Sequence, residues 1–220
     1  GWEPCTMDLV KAYRPETNSF SNGQVLQEAY TFRKARVVVQ EMAENMTLEL
    51  VSKRLVTDQL VLTIGYDKES LVGERGKDYH GEVVTDHYGR AIPRHAHGTG
   101  NLEGYTSSSR KLVGAIMEIY QRVVDPKLLI RRVNIAACGL LREKDIPEEG
   151  PEQLDLFTDY AAREAERARE MQEAADERSI QETVLRLQDR FGKNAVLKGM
   201  NLMEGATTIM RNGQVGGHRA

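Results

Sequence analysis

His95-Ala96-His97-Gly98-Thr99-Gly100-Asn101-Leu102 is the stretch on which the fold turns. His95, His97, Thr99 and Asn101 alternate with Ala96, Gly98, Gly100 and Leu102. Successive side chains of a strand point to opposite faces, so the four polar groups share one face and the small or apolar groups share the other. Upstream, Gln59–Tyr66 repeats the pattern, with Leu60, Leu62, Ile64 and Tyr66 on one side and Val61, Thr63 and Gly65 on the other. Both stretches are predicted strands with one face on a core.

Four more segments complete the pattern. Asn18–Ala29 is β-compatible and reads as the first strand. Thr31 can cap a helix whose apolar positions Ala35, Val38, Val39, Met42 and Met46 follow the helical period. Thr106-Ser107-Ser108-Ser109 opens a second helix with Leu112, Ile116, Ile119 and Val123 along one stripe, and Asp125-Pro126 stops it. The last strand is Leu128–Leu141, with Ile130, Arg132, Asn134 and Ala136 opposite Arg131, Val133, Ile135 and Ala137. The order β-α-β-β-α-β predicts an α+β fold, a four-stranded sheet with both helices on one face. The other face is then open and carries His95, His97, Arg132 and Asn134. Between the two central strands, Asp67–Arg90 is a Gly- and charge-rich excursion with a hairpin expected around Asp86-His87-Tyr88-Gly89.

Composition sets outer limits. The 220 residues are 40% hydrophobic and 29% charged, which fits a globular core with solvated helices. No apolar run reaches the roughly 18 residues that cross a bilayer, so no membrane partner is expected. Gly1-Trp2-Glu3-Pro4 has neither a basic start nor an apolar stretch, and residues 1–16 read as a piece of a longer protein. The two cysteines, Cys5 and Cys138, make neither a disulfide framework nor a four-thiolate zinc site, so a cytoplasmic compartment is expected.

The net charge of −3 is unevenly spread. Residues 1–145 hold 20 Lys/Arg against 19 Asp/Glu, residues 146–177 hold 3 against 11, and residues 178–220 hold 7 against 3. The overall charge gives no support to nucleic-acid binding, which must rest on local placement. Beyond Asp145, Pro147–Glu152 reads as an acidic linker. Thr158–Arg178 reads as an exposed Ala/Glu/Arg helix. Ile180, Val184, Leu187 and Phe191 give a following helix one apolar face, with Gly192 as its C-cap. Gly205–Ala220 reads as loop or hairpin.

Catalytic constellations are weak. His95 and His97 share a strand face, but His80 and His87 lie in the excursion and no cysteine joins them, whereas catalytic zinc takes three placed ligands. Ser107–Ser109, His97 and Asp86 do not form a nucleophile elbow, and N-capping accounts for the serines. Gly98, Gly100 and Gly104 are one residue too widely spaced for a dinucleotide fingerprint. No set of carboxylates is grouped for two-metal chemistry. Neither a catalytic residue nor a metal ligand is assigned.

Gln153-Leu154-Asp155-Leu156-Phe157 stands apart. It follows the acidic linker and presents three large apolar side chains, the form of a short docking peptide with hydrophobic anchors and an orienting amide. It resembles the motif by which bacterial DNA polymerases and repair proteins bind the sliding clamp. Four further stretches lie within 17–145: Ser19-Phe20-Ser21-Asn22-Gly23-Gln24-Val25-Leu26, Lys53-Arg54-Leu55-Val56-Thr57-Asp58-Gln59, His95-Ala96-His97-Gly98-Thr99 and Val124-Asp125-Pro126-Lys127-Leu128-Leu129-Ile130-Arg131-Arg132-Val133-Asn134-Ile135. They resemble the little-finger domain of bacterial Y-family translesion DNA polymerases of the UmuC/DinB-like group.

The resemblance implies four regions: the end of a thumb over 1–16, a little finger over 17–145, a linker with the clamp motif over 146–157, and a helical extension with a Gly-rich tail over 158–220. It implies that the open sheet face meets the phosphates of duplex DNA through Ser19, Ser21, His95, His97, Thr99, Arg131, Arg132 and Asn134. It implies a DNA-directed DNA polymerase as the parent, active in damage tolerance and the SOS response. The acidic palm residues that hold two Mg2+ ions have no match here, so no nucleotidyl transfer is expected of these residues alone. Asn18 stands where a Lys is common, and the face is less basic than the family's. A ferredoxin-like RNA-binding module is the competing reading, disfavoured because the open face offers no aromatic pair for stacking bases.

Overall fold

The computed structural model describes residues 5–13, 18–147, 160–215 and 218–219. A short helix α1 (Met7–Ala12) precedes β1 (Phe20–Tyr30), α2 (Phe32–Ser52) and β2 (Leu55–Tyr66). The excursion holds α3 (Gly73–Lys77) and a hairpin of β3 (Val83–Thr85) and β4 (Ala91–Pro93). Then come β5 (Ala96–Thr106), α4 (Ser109–Val123), β6 (Ile130–Cys138) and β7 (Leu141–Arg142). The chain continues as α5 (Tyr160–Phe191), α6 (Thr208–Asn212) and the small pair β8 (Gln214–Val215) and β9 (His218–Arg219).

The sheet order is β1-β6-β2-β5, every neighbouring pair antiparallel, with β7 paired to the start of β2. β1 and β2 therefore run parallel with β6 between them, and α2 makes the crossover. β5 and β6 flank β2, and α4 joins them. Both helices pack on one face, as the α+β pattern predicts. Leu60, Leu62 and Ile64 from β2 and Val133, Ile135 and Ala137 from β6 are fully buried against Ala35, Val38, Val39, Met42 and Met46 of α2 and Leu112, Ile116 and Ile119 of α4. Tyr120 closes the helix pair. Its ring sits 4.7 Å from that of Phe32, and its hydroxyl donates to the Phe32 carbonyl at 2.8 Å.

Gly98 and Gly100 face α4, and their smallness sets how near that helix comes. A Cβ at Gly98 would lie 2.6 Å from Ile119 Cγ2 and 2.8 Å from Val123 Cγ1. Ser108 caps α4, its hydroxyl accepting from the Lys111 amide at 3.2 Å.

Strict alternation along the last strand predicts Ile130 on the open face. It is instead fully buried, because the pairing partners step from Arg132 directly to Ile130 and leave Arg131 in a bulge. The extension departs further from its sequence pattern. Residues 160–191 form one continuous helix, and its apolar stripe is divided, with Ile180 65%, Phe191 63% and Leu187 38% exposed while Val184 is half-buried in a cleft beside α2. Polar side chains fix α5 to the start of α4. Gln181, which is buried, donates to the Ser107 carbonyl and Ser109 Oγ, and Glu177 accepts from Ser108 Oγ at 2.6 Å and the Arg110 amide at 2.9 Å. Arg178 pairs with Glu143 at 2.6 Å. A carboxylate at the start of α4 also complements the positive end of that helix.

After Gly192, which caps α5 in the left-handed region at φ 91°, the chain returns along α2. Glu41 of α2 is 1% exposed, and its carboxylate accepts from the Thr207 amide at 2.7 Å, the Thr208 amide and Asn201 Nδ2 at 2.8 Å. Arg211 reaches Gln24 Oε1 at 2.9 Å. The tail predicted as loop or hairpin ends in the β8–β9 pair, and the segment before it is a strap anchored on one buried carboxylate.

Candidate nucleic-acid interface

Among the described residues nothing covers the face opposite the helices, and the strand registers align its side chains in rows. Across β1, β6, β2 and β5 one row is Ser21, Ala136, Val61 and Thr99. The next is Gly23, Asn134, Thr63 and His97. A third is Val25, Arg132 and Gly65. These three rows hold one full positive charge, Arg132, and no carboxylate. Arg132 is exposed and has no ion-pair partner among the described residues. Its neighbours are small. A Cβ at Gly65 would lie 3.1 Å from Arg132 Cβ, so glycine there gives the stem room.

Most of the predicted contact residues meet on this face. Ser21, His97, Thr99, Arg132 and Asn134 lie on it side by side, and Ser19 and His95 are exposed just before β1 and β5. Arg131 does not join them. At the bulge its guanidinium donates to the Gln27 carbonyl at 2.9 Å, and its Nε lies 3.8 Å from Asp67 Oδ2. Three polar residues absent from the predicted set belong to the face. Thr63 Oγ1 lies 3.1 Å from His97 Nδ1, and Gln59 Nε2 donates to Asn101 Oδ1 at 3.0 Å. The alternation of β2 places Gln59 and Thr63 there, and that of β5 places Asn101, so the signal was in the pattern. At the outer edge, Arg122 donates to the Thr99 carbonyl at 2.7 Å and occupies an acceptor that a further strand would otherwise use.

Among the described residues no three His, Cys, Asp or Glu come together to hold a metal ion. The predicted clamp motif, Gln153, Leu154, Asp155, Leu156 and Phe157, lies outside the described residues.

Residues 17–156 match the impB/mucB/samB family C-terminal domain. The chain belongs to that family. That family is the C-terminal domain of Y-family DNA polymerases, and the sheet described above lies within the matched region. Among solved structures, the chain is similar to one titled "Complex of beta-clamp processivity factor and little finger domain of PolIV", at 7% identity and a TM-score of 0.37, covering 64% of this chain and 100% of that one. No curated protein matches the sequence. Among the described residues of this Y-family domain, no helix is long and apolar enough to cross a membrane.

Proposed function

We propose that this Y-family domain holds duplex DNA on its open sheet face and tethers its parent polymerase to the sliding clamp through Gln153–Phe157. The observation that carries the DNA reading is the face itself, which no described element covers, with Arg132 unpaired among the described residues and no carboxylate in the three rows around it. Four strands at ~4.8 Å spacing are about 14 Å across. That width suits a surface reaching phosphates on both sides of a groove ~12 Å wide. Hydroxyls and amides, here Ser21, Thr63, Thr99, Asn101 and Asn134, are the groups that position a protein on a phosphate backbone without reading sequence. The clamp reading rests on the pentapeptide. The chemistry of the parent, with its two Mg2+ ions, belongs to a palm domain outside these residues, and damage tolerance is the setting this division of labour fits. Cytoplasmic DNA is the partner, and the helical extension serves as support.

The test places a negative charge on each side of the domain. Thr99→Glu sets a carboxylate among phosphates and weakens duplex binding about fivefold, the effect of ~1 kcal/mol between like charges in water. Lys111→Glu, on the exposed start of α4, leaves binding unchanged. Fluorescence anisotropy with a labelled duplex measures both. Equal losses from the two variants contradict the open face as the binding surface.

A further inference from the structure

The β3–β4 hairpin carries a feature that the sheet does not use. Asp86 organises its turn. Oδ1 accepts from the Tyr88 and Arg90 amides at 2.9 Å each, and Oδ2 accepts from Arg90 Nε at 2.7 Å. The Arg90 guanidinium holds the Asp86 carboxyl below the usual carboxylate range. Gly89 completes the turn at φ 75°. The arrangement displays Tyr88, which at 76% is the most exposed large hydrophobic side chain among the described residues. The Arg90 guanidinium carbon lies 4.9 Å from the centre of the Tyr88 ring, and the His87 ring meets it edge-on at 5.4 Å. Tyr88 packs on nothing in the core. Its ring is backed by a guanidinium, with the rest of its surface bare.

The hairpin's place in the fold gives that surface a partner. β2 ends at Tyr66, opposite Ile130, and β5 begins at Ala96, opposite Ile64. The excursion therefore leaves and returns at the Arg132 end of the open face, and Tyr88 is at most ~29 Å of chain from Ala96.

We infer that the β3–β4 tip is a second nucleic-acid contact, with Tyr88 stacking on an unpaired base of a DNA strand that runs off the duplex held by the sheet. The inference rests on the DNA reading above. Bases inside a duplex already stack on their neighbours, so an exposed ring finds a free base face on an unpaired nucleotide. Stacking of this kind tolerates any base, and a guanidinium beside the ring adds to it.

The test compares a blunt duplex with the same duplex carrying a single-stranded extension of about six nucleotides, the extension containing 2-aminopurine as a stacking reporter. The wild-type chain binds the extended duplex about tenfold more tightly than the blunt one and quenches the reporter. Tyr88→Ala binds both with the blunt affinity and leaves the reporter bright, whereas Tyr88→Phe keeps the preference. Arg132→Ala weakens both probes together. Blunt binding without a preference for the extension, or a preference that survives Tyr88→Ala, overturns the hairpin contact and leaves the sheet contact standing. Failure of the wild-type chain to bind either probe overturns both.

Discussion

A Leu156→Ala/Phe157→Ala variant loses its affinity for the sliding clamp by roughly a thousandfold while its melting temperature and duplex affinity stay at wild-type values. The size follows from anchor chemistry. Truncating a buried hydrophobic anchor costs ~2 kcal/mol. Two such losses come to about 4 kcal/mol, and every 1.4 kcal/mol is tenfold in Kd. Gln153→Ala has a smaller effect, because it removes amide hydrogen bonds and leaves the apolar anchors in place. The benefit of the proposed tether is effective concentration. A polymerase with a weak grip on DNA gains local concentration toward the millimolar range from a second attachment to a ring already on the duplex. Surface plasmon resonance on immobilised clamp, run beside thermal unfolding, separates the possibilities. A large fall in melting temperature with clamp binding intact would show that the pentapeptide packs within its own chain.

Gly98→Val lowers stability by about 3 kcal/mol, the upper part of the usual range for overpacking a core. The first added carbon already lies 2.6 Å from Ile119 Cγ2 and 2.8 Å from Val123 Cγ1, before the two methyl groups of valine are counted. Relief requires α4 to lift from β5, which opens the core at Ile116 and Ile119, both buried. The urea midpoint reports the loss, with the slope of the transition unchanged. A midpoint within error of wild type would mean that α4 does not sit as close to β5 as described.

The strands and helices of the sheet were legible because one face is apolar and the other polar. The alternation of Leu60, Leu62 and Ile64, and of His97, Thr99 and Asn101, fixed which side each would take, and the registers of β2 and β5 agree. Ile130 was misassigned because a bulge adds a residue without leaving a mark in the period, and Arg131 looks like any other strand residue. The same bulge takes Arg131 out of the rows of the face and brings its guanidinium to the Gln27 carbonyl and Asp67. The extension was less legible for a different reason. Its docking depends on Glu41, Glu177 and Gln181, polar side chains that a hydrophobicity pattern assigns to solvent. The apolar stripe of Ile180, Leu187 and Phe191 pointed the other way. A buried carboxylate is stable there because two amides and a side-chain amide surround it, and those donors come from residues about 160 positions along the chain.

The salt dependence of duplex binding, measured for the wild-type chain and for Arg132→Ala, tests the central claim most directly. Each phosphate neutralised by the protein releases counterions, so log affinity falls against log salt with a slope of about −0.9 per contact. Arg132 is the one full charge in the three rows around it on the open face. Its removal therefore reduces the slope by about one unit and weakens unrelated sequences alike. Unchanged affinity and unchanged slope in Arg132→Ala would contradict the assignment of that face to DNA.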